Sequence, residues 1–390
     1  MASSTPVHCG VNSVPGRFGA FAWPALLVVV ATAAFVIRIR HDMVDFDVYR
    51  TAGARAIAAE PLYRPDDGHF QFKYFPAFAL AMAPFAGLNR EVAQVVWYAG
   101  SIGLLVVFVR WSIDALPDRR RPRSWLVWLT ILFVGKFYVR ELALGQTNGL
   151  LGVSLVGALI AVQRRQALLT GVLVGLGAFV KPYALVLVPW LLVASGVSAV
   201  AVSLAVVGAG LVLPAVVYGW NGNLEQVLGW YRTVTETTAP NLLVNENVSL
   251  ATMWAKWIGV GEATSALAVV SAAAVIGVAV ATWTKRRAVS EPSYLEFGQL
   301  MILVPLLSPQ GWDYVFLLAT PAVVCLLDRL RDVNTAQRVL TVAALAMMGL
   351  TIYDVIGRTL YFWLIEIAII SVAAIGLLVS LARLRYRALA

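Results

Sequence analysis

"ALVLVPWLLVASGVSAVAVSLAVVGAGLVLPAVVY", residues 184–218, contains no charged side chain. A helix rises about 1.5 Å per residue, so a hydrocarbon layer about 30 Å thick needs about 20 apolar residues to cross it. The stretch is long enough for two crossings. Uncharged apolar runs recur at 21–37, 92–109, 149–163, 263–284, 339–353 and 367–382. Shorter runs at 74–88, 124–135, 167–180, 297–307 and 314–327 read as spans shielded by neighbouring helices. The proline-broken 74–88 also reads as a half-helix that does not cross. Together the runs predict an all-α integral membrane protein with 11–13 transmembrane helices. Regular alternation is absent, which excludes a β-barrel.

Composition agrees. Hydrophobic residues make up 60% of the 390 and charged residues 13%, where a soluble domain carries about a quarter charged residues. The net charge of +9 is explained by basic loops facing anionic lipid, so the bilayer is the expected partner and nucleic acid is not. Cys9 and Cys325 are too few for a disulfide framework or a zinc site. The 21–37 run lacks a basic leader and a small-residue cleavage site, so it reads as a span preceded by a tail, 1–20.

The basic clusters 119–123, 164–165, 285–287, 328–332 and 383–387 fall on one side, taken as cytoplasmic, if helices alternate between them. The other side then receives "GQTN" (145–148), Lys181-Pro182, the long loop 219–250 and "SPQGWDY" (308–314). The segment 38–73 breaks this count, because Arg38, Arg40, Arg50 and Arg55 follow the first span and only Arg17 precedes it. Either that segment is cytoplasmic, or its arginines bind an anionic ligand outside.

Within it, Val48, Ala52, Ala56 and Ala59 repeat at helical spacing, predicting a short amphipathic interfacial helix over 46–59. Asp45 and Asp47 stand at its start, either as helix caps or, for one of them, as a general base. Phe72, Tyr74 and Phe75 of "FKYFP" form either an interfacial aromatic belt or a platform for a sugar ring. Lys136, Arg140, Glu141, Lys181, Asp313 and Glu366 lie inside or beside apolar runs, where charge is costly and faces a polar cavity or a partner. Arg140 and Glu141 could pair with each other, and Lys181 either holds a phosphate, the favoured reading, or simply snorkels to the interface.

No nucleotide-binding loop, metal-ligand cluster or Ser/His/Asp set occurs, and the histidines His8, His41 and His69 are all N-terminal. Two classes remain: an enzyme acting on a lipid-linked substrate, and a transporter or flippase. A transporter tends to show internal repeats with matched broken helices. Here the acid-bearing loop occurs once, which favours the enzyme.

The pieces "DFDVYRTAGARAIAAEPLY", "FKYFP", "GQTNGLL", "GLGAFVKPYALVLVPWLL", "NENVSL" and "SPQGWDY" occur in that order over residues 40–320. The series resembles glycosyltransferase family 87 of the GT-C superfamily, bacterial multi-span mannosyltransferases that use a polyprenyl-phosphate-mannose donor. The resemblance implies one GT-C transmembrane domain over 21–390 in the bacterial plasma membrane, with 38–73 as an extracytoplasmic catalytic loop. It implies transfer to a glycolipid or polysaccharide acceptor with inversion. Asp45 is the implied base and Asp47 the alternative, while Lys181, Arg50 and Arg55 are the candidates for the donor phosphate. Tyr49, Tyr74, Gln146, Asn148, Asn247, Trp312 and Asp313 are the candidates for sugar or acceptor contact. No metal or other cofactor is demanded, because cations for the leaving phosphate are supplied by the chain. Where the family often carries histidine in P-x-x-W-x-H, this chain has Tyr314, so no role for that histidine carries over.

Overall fold

A computed structural model describes residues 28–387; the tail 1–20, Cys9 and the opening of the 21–37 run lie outside the described residues. The described chain is helical, and no named strand occurs in it. It divides at Asp42 into two compact units. In the first, a helix from Val28 passes through a widened turn at Phe35–Ile39 and ends at Arg40–Asp42. There Arg38 Nε lies 2.7 Å from the Asp42 carboxylate, one turn on.

The second unit begins with α1 (Val44–Ile57). Met43 stands at its N-cap with no side-chain cap, so neither Asp45 nor Asp47 caps the helix; both lie in the first turn, where the helix dipole favours negative charge. The buried face is Phe46, Tyr49, Ala52, Gly53 and Ala56. It is rotated from the face expected from Val48, Ala52, Ala56 and Ala59, and Ala59 lies beyond the helix. The reason is tertiary packing: small residues let α1 sit directly on α2 (Pro76–Ala81) and α3 (Ala83–Ala86). A Cβ at Gly53 would stand 2.7 Å from the Met82 carbonyl.

Helices α2 and α3 cover the expected run 74–88. They are interrupted at Met82 ahead of Pro84, and end to end reach only about 16 Å. That length fits the half-helix alternative. The chain continues as α4 (Arg90–Asp114), α5 (Arg123–Leu144), α6 (Asn148–Gln163) and α7 (Ala167–Val180). A 3-10 turn at Pro182–Leu187 leads into α8 (Val188–Ala194), α9 (Val197–Val212) and α10 (Ala215–Glu236). Then come α11 (Leu250–Ile258), α12 (Glu262–Thr284), α13 (Ser293–Leu307), a 3-10 stretch Asp313–Ala319, and α14 (Thr320–Asp328). After α15 (Thr335–Gly349) and a single turn at Tyr353–Ile356, α16 (Arg358–Glu366) and α17 (Ile369–Arg387) complete the described chain.

Among the described residues, α4, α12 and α17 are each long and apolar enough to cross a membrane, and α9 with α10 qualifies as a pair bent by 93°. The apolar helices α6, α7, α13 and Pro182–Ala194 have 10–17 residues. Many of the runs counted in the sequence are therefore not single full-length spans. The 184–218 run itself breaks at Ser195–Gly196, where Gly196 has φ +88°. Helix α5 has 22 residues but carries Lys136, Arg140 and Glu141. The expected loop 219–250 is helical as far as Glu236. Two of its polar residues point inward: Gln226 Oε1 accepts from the Leu62 amide at 3.0 Å, and Asn223 donates to the Leu211 carbonyl at 3.0 Å.

Close approach of backbones holds the bundle where apolar burial cannot distinguish lipid from protein. Gly171 and Gly175, four apart on α7, face Ala199, Ser203 and Val206 of α9, the small-residue contact expected within a bilayer. Helix α13 is buried along nearly all of its length. An isolated bridge pairs Asn247 with Trp312. It is framed by Val248 N–H to Gly311 O at 2.7 Å and Asp313 N–H to Glu246 O at 2.8 Å, which joins "NENVSL" to "SPQGWDY".

Gly145 terminates α5 at φ +68°, and a Cβ there would come 2.7 Å from Phe46 Cβ. Gly145→Ala is expected to cost more than the ~1 kcal/mol of the left-handed backbone alone. Thermal unfolding in detergent should show the loss.

Candidate active site

The left-handed turn at Gly145 directs Gln146 into the protein, 4% exposed. Its side-chain amide is used in full. Nε2 donates to Asp45 Oδ2 at 2.6 Å and to the Tyr314 hydroxyl at 3.1 Å. Oε1 accepts from Lys181 Nζ at 3.1 Å and from the Tyr49 hydroxyl at 3.2 Å. One amide thus joins the start of α1, the end of α7 and the 3-10 stretch after α13. Lys181 is extended at φ −153° because the residue before a proline avoids the helical region. That turns its side chain out of the α7 ladder. Tyr49 and Tyr74 hydroxyls are 2.6 Å apart.

These groups open onto a cavity of about 500 Å³. Of the residues expected at the site, Asp45, Tyr49, Tyr74, Gln146, Lys181 and Trp312 line it. Lys181 Nζ lies 5.8, 5.9 and 5.6 Å from the ring centres of Tyr74, Tyr183 and Tyr314, a cage of π faces around one cation. Trp312 and Tyr314 stack with planes 5° apart. Phe72 and Phe75 are buried and Tyr74 faces the cavity, so "FKYFP" is not an exposed belt.

Other expected residues are engaged elsewhere. Asp47 is paired with Arg90 at 2.5 Å, and Arg55 with Asp67 at 2.5 and 2.7 Å. Arg50 donates to the Leu88 carbonyl at 2.9 Å. Asn148 donates to the buried Glu141 carboxylate at 2.8 Å, and Asn247 to the carbonyls of Asn241 and Pro309. None of these five residues, nor Asp313, is among the residues lining the cavity. Arg140 reaches Glu246 at 3.5 Å rather than its neighbour Glu141.

Lys73, Tyr183, Gln310 and Glu246 also line the cavity and were not singled out from the sequence. Lys73 sits inside the quoted "FKYFP", and its Nζ donates to Gln310 Oε1 at 3.3 Å. Its signal was an unassigned cation between two aromatic residues.

Burial pushes the Asp45 carboxyl above its ordinary value of 3.8, opposed by the Gln146 hydrogen bond and by Lys181 and Lys73. Burial lowers the Lys73 ammonium, opposed by Asp45. A carboxylate shifted towards neutrality is a stronger proton acceptor than an exposed one, and it has a cavity in front of it. The salt-bridged Asp67 shows the opposite behaviour, held down by its hydrogen bonds to Arg55.

An all-α membrane fold with a partly buried acid, a caged lysine and aromatic walls around one cavity presents a candidate catalytic or binding site. The sequence pattern of glycosyltransferase family 87 matches residues 72–309, and the chain belongs to that family. It is a membrane glycosyltransferase. A polyprenol-phosphate-mannose-dependent alpha-(1-2)-phosphatidylinositol mannoside mannosyltransferase of Mycolicibacterium smegmatis is 27% identical over 316 residues, covering 72% of this chain and 69% of the relative. No solved structure matches. The family match begins after Asp45 and ends before Trp312, so both lie outside the matched segment.

The Asp47–Arg90 pair is half exposed, at 34% and 54%. Asp47→Asn is expected to change stability by no more than ~1 kcal/mol. A double-mutant cycle with Arg90→Gln, read by thermal unfolding, measures the pair directly.

Proposed function

We propose that the protein transfers a mannosyl group from a polyprenyl-phosphate donor to a glycolipid or cell-envelope glycan on the extracytoplasmic face of the bacterial plasma membrane, with Asp45 as general base. The observation that carries this reading is the single amide of Gln146, hydrogen-bonded to a partly buried carboxylate on one side and a buried ammonium on the other. The relative's name supports the donor, the sugar and a glycolipid acceptor.

Asp45 accepts the proton of the acceptor hydroxyl as that oxygen forms a bond to the anomeric carbon. The bond from that carbon to the phosphate oxygen breaks, and polyprenyl phosphate leaves with the electron pair. Lys181 takes up the developing charge. Lys73 is a further cation lining the cavity, as is Arg140, and replaces Arg50 and Arg55, whose guanidinium groups bond away from it. Fixed cations aimed at a leaving group stabilise the transition state without reorganisation. Attack opposite the leaving group inverts the centre, and one carboxylate suffices, unlike the pair a glycosidase needs. The tyrosine rings offer apolar faces to the sugar.

Purified protein supplied with radiolabelled polyprenyl-phosphate-mannose and candidate glycolipids tests the reading. Asp45→Asn is expected to lose about 10²–10⁴-fold in turnover, the usual contribution of a general base. Asp47→Asn should retain transfer. Full turnover by Asp45→Asn overturns the base assignment, and substrate flux across liposomes without transfer overturns the enzyme.

The pH profile carries a sign. The base works deprotonated, so kcat/KM should fall as pH drops through a value above the ordinary 3.8. Gln146→Leu removes a hydrogen bond that lowers the Asp45 pKa. The acidic limb should therefore move to higher pH, whereas loss of packing alone would lower the whole curve without moving the limb. Cysteine placed at Gly68 should label only from outside the cell; exclusive cytoplasmic labelling contradicts the orientation.

A further inference from the structure

A second cavity, about 560 Å³, lies at the opposite end of α13 from the candidate active site. Tyr294 and Leu295 line it at the start of that helix, while Ser308, just beyond its end, lines the site with Asp45. The intervening helix is about 22 Å long. The cavity gathers arginines from three separate basic clusters, Arg120, Arg329, Arg385 and Arg387.

Arg385 forms part of its buried wall and is only 2% exposed. Its Nη2 donates to the Pro292 carbonyl at 2.7 Å and lies 3.5 Å from Glu296 Oε1. Its Nη1 is buried and has no hydrogen-bond partner. Glu296 does not neutralise it alone, because the same carboxylate lies 3.7 Å from Arg286 and accepts from Trp190 Nε1 at 2.9 Å. Arg286 Nη1 is likewise buried without a partner. One carboxylate therefore faces two guanidinium groups.

The other charges beside the cavity are paired with one another or lie at its rim. Arg120 is paired with Asp332 at 2.5 Å, and Arg329 lies 3.5 Å from Asp328 and donates to the carbonyls of Pro117 and Asp118. Asp118, Glu291 and Asp332 are exposed residues at the cavity's rim. Arg387 Nη1 reaches only the Asp332 backbone oxygen, at 3.4 Å. Part of the remaining wall is apolar, with Leu116, Val289, Leu295 and Leu384, beside Ser290, Tyr294 and Cys325.

A buried guanidinium N–H without an acceptor is unfavourable, and an anion with several oxygens removes the cost. A planar fork beside apolar wall suits a phosphate ester carrying an apolar portion. We propose that this cavity is a binding site for a phosphate ester, with its phosphate on Arg385 and Arg387 and its carbon portion against the leucines. An anionic phospholipid headgroup and a soluble phosphate ester present the same chemistry. The site is separate from the transfer reaction and does not depend on the identity of donor or base.

The full-length protein in phosphatidylcholine nanodiscs, with and without phosphatidylglycerol, distinguishes the sources when compared with added glycerol 3-phosphate. Binding is read by native mass spectrometry and by the shift in thermal unfolding. Phosphatidylglycerol is expected to bind and stabilise the wild type, and Arg385→Gln and Arg387→Gln should each weaken binding roughly tenfold or more. Arg387 is exposed at a helix end, so its variant keeps the test valid if Arg385→Gln fails to fold. Binding of glycerol 3-phosphate that the same substitutions weaken assigns the site to a soluble ester. Absence of binding by both probes, or binding unchanged in both variants, overturns the proposal.

Discussion

Everything at the candidate site depends on the Gln146 side chain keeping Asp45 and Lys181 apart while hydrogen-bonding to both. A carboxylate and an ammonium in direct contact would form an ion pair, lowering the acid's affinity for a proton and occupying the lysine's donors. A neutral amide between them satisfies one lone pair of the acid and one N–H of the base. Each charged group then still has capacity directed at the cavity. Burial of Asp45 can therefore raise its pKa despite two lysines nearby. The amide itself is held by two further hydroxyls, those of Tyr49 and Tyr314, so rotation about its terminal bond would break four interactions together.

That arrangement constrains the backbone far beyond one residue. Gly145 must adopt a left-handed turn against Phe46, and its carbonyl accepts from Trp97 Nε1 at 2.9 Å. Pro182 must end α7 so that Lys181 leaves the helix. The bridge between Asn247 and Trp312 fixes the chain leading into Tyr314. Irregular backbone within a membrane protein is tolerated where it lines a cavity and its polar groups are satisfied. Here three such breaks converge, and the short helices are the consequence of building a polar site among apolar ones.

The scarcity of charge made the all-α membrane class legible, because no other fold tolerates such runs. Helix ends were less legible. Polar Asn223 and Gln226 looked like loop residues, and only their distant partners, Leu211 and Leu62, reveal why they are helical and buried. The same limit separates the site residues that converged from those that did not. Asp45, Gln146 and Lys181 belong to ordered motifs, and their position within those motifs carried the information. Arg50, Arg55 and Asp47 were indistinguishable from them by type, and it is the neighbours Leu88, Asp67 and Arg90 that divert them. Lys73 was passed over because the aromatic residues on either side attracted the reading of its motif.

The departure at Tyr314 follows the same physical logic. The resemblance read from the sequence implies histidine at this position, and an imidazole beside Lys181 and Asp45 would bring a third group that changes charge near neutral pH. A tyrosine hydroxyl has an ordinary pKa near 10 and stays neutral across that range. It still accepts the second Gln146 hydrogen bond and supplies one of the three rings around Lys181. The position keeps its structural part in the amide network while the site gives up a titrating group. Within the Gln146 network Asp45 is then the carboxyl that takes up a proton at low pH, and the cation opposite it is held by ring faces whose character does not change with pH.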